Sequence, residues 1–172
     1  MVVKQRQVRR TLLIVGEGDS EEAFLKHLRN LYCSSGAGVT VTVRNAHGKG
    51  PDNVITHTVR QTRIASYDRR VALLDTDIPW TEELEKKAQN AKIYMVGSKP
   101  CFEGLLLSIL GMSVPSQSGK CKKVIAQTLG FDLTERQSYI NQFSKTILDS
   151  ARVKIPELNQ LINFFEGNWQ FK

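Results

Sequence analysis

The apolar residues of this chain fall into short solid blocks separated by stretches of helical period. Residues 11–17 (TLLIVGE) form a continuous apolar run closed by glycine and an acid. Such a run fits a strand buried on both faces. Residues 39–43 (VTVTV) are β-branched throughout, 71–75 (VALLD) is another apolar run ending in an acid, and 93–96 (IYMV) reads as a fourth strand. Between the blocks the period changes. Ala23, Leu25, Leu28 and Leu31 mark the apolar stripe of a helix over residues 19–33. Asp19 and Glu22 have the spacing of a capping box, with Glu21 in the same first turn. The turn at 48–51 (GKGP) opens a second helix reaching about residue 65. Thr81 is placed to cap a third, charged helix, and a fourth starts near Pro100.

Strand–helix alternation with doubly buried strands predicts an α/β fold: a Rossmann-like, mostly parallel four-stranded sheet flanked by helices. Residues 111–123 read as a polar loop holding Pro115, Gly119 and three lysines. Beyond it only helices are expected, over 122–129, 134–143 and 146–165, with Pro156 breaking the last. A length of 172 residues suits a single domain. Its core is expected at 11–112, with 113–172 packed on that core as a helical extension.

Composition narrows the class. With 41% apolar and 24% charged residues, the chain is neither disordered, fibrous nor a disulfide scaffold. A net charge of +7 and a pI near 9.5 favour a polyanionic partner. Cys33, Cys101 and Cys121 are odd in number, widely spaced and remote in sequence from a histidine cluster, which argues against zinc and for a reducing compartment. The apolar run at 12–15 is too short for a signal peptide, and that at 105–110 is too short to span a bilayer. A cytoplasmic protein with no membrane partner is expected.

Ligands of parallel sheets bind beyond the carboxyl ends of the strands. There the chain places Glu17, then Asp75-Thr76-Asp77, then residues 97–103 (GSKPCFE). Side chains two apart on extended chain point the same way, so Asp75 and Asp77 are expected to face one point. Paired carboxylates repel, and a hard divalent cation relieves them. Oxygen ligands suit Mg²⁺, with Mn²⁺ as the alternative. Glu17 would complete the site as a ligand or move a proton.

Lys99, just before a helix, could neutralise phosphate, or be a surface lysine in a turn. Glu103 could serve a second metal or simply the helix dipole, while Glu21 and Glu22 read as dipole and capping groups. His47 and Lys49 lie in a glycine-rich turn able to cradle phosphate, though it lacks the ending of a P-loop. Arg6, Arg9, Arg10, Lys120, Lys122 and Lys123 are candidate phosphate-backbone contacts or solvated charges. Trp80 either stacks a base or covers a helix edge, Cys101 and Phe102 read as packing residues, and Trp169 and Phe171 could dock the tail or a partner. Turn chemistry accounts for any one of these features; acids at the ends of two buried strands on a net-basic chain are a stronger signal together.

At these residues the sequence resembles a known pattern. A strand ending in Glu17-Gly18 followed two βα units later by a strand ending in Asp75-x-Asp77 is similar to the Toprim domain of topoisomerases, bacterial primases, ribosomal-RNA maturation nucleases and OLD-family nucleases. Residues 15–22 (VGEGDSEE) resemble the V-C-E-G-x-x-T-E opening of RloB-like proteins, and residues 98–107 (SKPCFEGLLL) resemble their S-N-P-C-F-E-x-W-L-L block. Gly16, Lys99 and Leu105 depart from that pattern, where the family has Cys, Asn and Trp. The resemblance implies Mg²⁺-dependent cleavage of nucleic acid, DNA or RNA, in a phage-defence or restriction setting, with a companion ATPase as a possible partner. Asp75 and Asp77 would hold the metal and Glu17 would act as acid/base or further ligand. A non-catalytic sensor subunit and a small-phosphoester hydrolase or phosphotransferase are the competing expectations.

Overall fold

A computed structural model describes residues 9–33, 38–130 and 132–169. Four strands and the helices alternate as the apolar blocks require: β1 (Arg10–Gly16), α1 (Asp19–Tyr32), β2 (Val39–Asn45), α2 (Gly50–Ile64), β3 (Arg69–Asp75), α3 (Glu82–Asn90), β4 (Ile93–Ser98) and α4 (Phe102–Ile109). The remainder is helical: α5 (Ser118–Leu129), a 3-10 turn (Arg136–Ser138), α6 (Tyr139–Gln142), α7 (Lys145–Arg152) and α8 (Pro156–Glu166). Pro156 begins α8 instead of kinking one long helix, because its missing N–H costs nothing at a helix start.

The sheet is wholly parallel in the order β2-β1-β3-β4. The fold is therefore α/β and Rossmann-like. Strand alternation divides the core in two. Leu12, Ile14, Val71, Leu73 and Val96 face α1, α4 and the helical tail, whereas Leu13, Val15, Ala72 and Leu74 face α2 and α3. The tail shares the first of these cores. Tyr139, Phe143, Leu161 and Phe165 are fully buried in the cluster that holds Phe24 of α1. Tyr139 and Phe143 lie 5.5 and 6.1 Å from the Phe24 ring, and the His27 imidazole bonds the Phe143 carbonyl at 2.8 Å. Trp169 docks the end of the tail against Arg10 and Arg69; Phe171 and Arg6 lie outside the described residues.

Two local expectations are corrected. There is no capping box on α1: Gly18 is the cap residue, and Asp19 accepts a 2.5 Å bond from Asn45 Nδ2 while Glu22 pairs with Lys26 at 2.7 Å. The polar loop is also shorter than expected, since α5 starts at Ser118 and carries Lys120 in its first turn. The Thr81 hydroxyl does cap α3, accepting from Leu84 N at 3.2 Å. No helix among the described residues is long and apolar enough to cross a membrane.

Candidate functional site

Chain order and strand order diverge at β1. The chain leaves β1 for β2 on one side and returns to β3 on the other. Such a switch point opens a crevice at the carboxyl ends of the strands. Glu17 follows β1 and Asp75 ends β3, so they stand on opposite banks of that crevice.

Each carboxylate is drawn to a different helix start. Glu17 Oε1 accepts from the N–H of Gly50, first residue of α2, at 3.1 Å. Asp75 Oδ1 accepts from Phe102 N, first residue of α4, at 2.8 Å. Asp77 Oδ2 accepts from the hydroxyl of Ser118, first residue of α5, at 2.6 Å. The positive ends of helices thus partly offset the negative charge. Asp75 and Asp77 thus take different hydrogen-bond partners, the amide of Phe102 and the hydroxyl of Ser118. Extended chain stops at Asp75, so alternation no longer relates the two side chains. Glu17 meets the start of α2 through Gly50, whereas Asp75, still in β3 and two residues after Leu73, belongs to the α1–α4 face. Among the described residues no three His, Cys, Asp or Glu side chains form a ready-made metal cage.

Their fields nevertheless overlap. Burial, and then the charges of Glu21, Glu17, Asp77 and Glu103, push the Asp75 carboxyl up to about 7. Glu21 is also raised, first by burial and further by Glu103 and Glu17. None of these five carboxylates forms an ion pair with Lys, Arg or His among the described residues. In a chain of net charge +7 that is a specific local deficit of cations. The groups are hard oxygens under mutual repulsion, the chemistry that a divalent cation relieves.

Glu21 is the residue that motif reading missed. It stands one turn before Leu25 and two before Leu28, on the buried side of α1. That spacing is visible in the sequence. Gly16 makes room for it: a Cβ at Gly16 would come within 2.6 Å of Glu21 Cβ.

The remaining candidates separate. Glu103 lies in the first turn of α4, beside the cluster. Lys99 is directed away, to Glu157 at the start of α8, at 3.1 Å. Lys120, Lys122 and Lys123 are exposed on α5, which begins at the Asp77 contact, and none forms an ion pair among the described residues. His47 and Lys49 are exposed in a loop whose four residues 47–50 all have left-handed φ, 60, 76, 72 and 77°. The amide N–H of Gly48 in that loop donates to the Glu17 carbonyl at 2.8 Å. Arg10 belongs to the opposite pole, where it donates to the Trp169 carbonyl at 3.1 Å. Trp80 is no stacking platform. Its Nε1 donates to the Asp75 carbonyl at 3.0 Å and its ring covers Gly97, where a Cβ would lie 3.1 Å away. Cys101 is fully buried, and burial pushes its thiol up to about 12, which suits packing and not nucleophilic attack.

No protein-family model, curated protein or solved structure matches the chain. The likeness to Toprim and RloB-like proteins rests on the motif residues alone.

Proposed function

We propose that the chain is a Mg²⁺- or Mn²⁺-dependent nuclease that cleaves phosphodiester bonds at the mouth of the β1–β3 crevice. The observation that carries this reading is the group of carboxylates around Asp75 with no cationic partner among the described residues, set at the carboxyl edge of a parallel sheet in a basic chain. Asp75 would anchor the ion, with Asp77 and Glu17 reaching it from the flanks. A bound divalent ion polarises a phosphoryl oxygen and acidifies a water. Phe102 N fixes one Asp75 oxygen, so the carboxylate enters the site with a set orientation. Glu17 is held at Oε1 by Gly50 N, and its Oε2 makes no bond among the described residues, so it can take a proton from the attacking water. Lys49, Lys120, Lys122 and Lys123 are placed to bind flanking phosphates and steer the polyanion.

The capping of α4 by Asp75 favours a second reading, nucleic-acid binding without turnover. Asp75→Asn separates the two, because the amide oxygen can still accept from Phe102 N while the charge is gone. End-labelled DNA and RNA are incubated with Mg²⁺ or Mn²⁺. The nuclease reading expects cleavage by the wild type and a loss of about 100-fold or more in Asp75→Asn, the scale of removing one key electrostatic group. Equal cleavage by both proteins overturns the assignment of Asp75; salt-dependent binding without cleavage by either supports the second reading.

A further inference from the structure

Ser98 closes β4 and is fully buried. Its hydroxyl makes no hydrogen bond among the described residues. Buried hydroxyls are nearly always paired, so an orphan at a site of crowded charge calls for a reason. Ser98 is the register partner of Asp75 in the parallel β3–β4 pair. Each follows by two residues a core side chain of the same cluster, Val96 and Leu73, so both point to the α1–α4 face. The two side chains therefore lie on neighbouring strands and share one face of the sheet, where Glu21 and Glu103 act on Asp75. The backbone there is fixed: the Ser98 carbonyl accepts from Thr76 N at 3.1 Å and from Thr76 Oγ1 at 3.0 Å. What can still move is the Ser98 side-chain torsion. On the facing carboxylate, Oδ1 is taken by Phe102 N, while Oδ2 accepts no bond among the described residues. One donor without an acceptor thus faces one acceptor without a donor.

We propose that Ser98 is a positioning residue for the cation site: its O–H donates to Asp75 Oδ2 when a divalent ion is bound, and so holds the plane of the carboxylate. The bond would complement the one from Phe102, tethering both oxygens and leaving a lone pair free on each. Groups that hold a ligating carboxylate in this way matter to affinity about as strongly as some ligands do. The proposal rests on the metal-dependent reading above.

The test needs no substrate. Free Mn²⁺ is titrated into the full chain and followed by its electron paramagnetic resonance signal, for wild type, Ser98→Ala, Ser98→Thr and Asp75→Asn, with thermal melts of each metal-free protein. Ser98→Ala is expected to weaken Mn²⁺ binding about tenfold or more, while its metal-free melting temperature is unchanged or higher because an unpaired hydroxyl has been removed. Ser98→Thr keeps the donor and retains most of the affinity. Wild-type Mn²⁺ affinity in Ser98→Ala, alongside its loss in Asp75→Asn, overturns the role of Ser98 and leaves the cation reading standing. A lowered metal-free melting temperature with unchanged affinity assigns Ser98 to packing and overturns the role as well. Absence of Mn²⁺ binding by the wild type overturns the cation reading itself, and the role of Ser98 with it.

Discussion

The two ends of the sheet treat charge in opposite ways. At the amino end of the strands several charged groups have partners. Arg10 lies 4.6 Å over the Trp169 ring and bonds its carbonyl, Arg69 lies 5.3 Å from the same ring, and Arg70 donates to the Ala91 carbonyl at 2.8 Å. Asp68 Oδ2 accepts from both the amide and the hydroxyl of Thr11, at 2.7 and 3.0 Å. At the carboxyl end five acids share a crevice with no counter-ion among the described residues. The first end is arranged for stability. The second carries a repulsion that only protonation or a cation relieves, and such stored repulsion is typical of sites that act on something.

The contrast can be broken most directly through pH. Asp75 has a folded value of about 7 against an ordinary 3.8, so the folded state holds its proton more tightly than the unfolded one. Its contribution to stability is therefore fully present below about pH 4, shrinks as pH rises, and is gone above about pH 7. Melting curves of wild type and Asp75→Asn are expected to diverge across that window, with the variant the more stable at neutral pH. Mg²⁺ should close the gap at pH 8 and do little at pH 5. Parallel pH curves would show that the carboxyl end is no more strained than the amino end.

A smaller effect is expected from the lysines of α5. Replacing Lys120, Lys122 and Lys123 together by Ala should leave the melting temperature nearly unchanged and lower the slope of log affinity against log salt by about 2–3. An unchanged slope would remove α5 from the nucleic-acid path. The smallest effect should come from the matched end. Arg10→Ala is expected to cost about 1–2 kcal/mol in a denaturant titration, from the lost ring contact and carbonyl bond, with no change in cleavage. Impaired cleavage there would mean that the two ends are not independent.

Much of this was legible in the residues. Four apolar blocks predicted four strands, and the acids closing two of them predicted where charge would gather. Less legible is what depends on where the backbone turns or on residues far along the chain. The strand ends at Asp75, and the hydroxyl that binds the Asp77 carboxylate comes from Ser118, 41 positions along the sequence. Lys99 looked like a phosphate ligand at a helix start, yet Glu157, 58 positions along the sequence, holds its ammonium. No local pattern reveals a partner so distant. Glu21 is different, since its place one turn ahead of Leu25 was open to view, but an acid in a first turn invites a dipole explanation and stops the search there.

The loop at 47–50 has a consequence of its own. Four residues wound with the opposite hand turn the amides of Gly48 and Gly50 inward onto Glu17, while His47 and Lys49 face solvent. The same short stretch is a wall with two unlike surfaces, a lining of amide hydrogens and an outer skin of imidazole and ammonium. Whatever tugs on the skin shifts the lining, and with it the grip of the Gly50 amide on the Glu17 side chain.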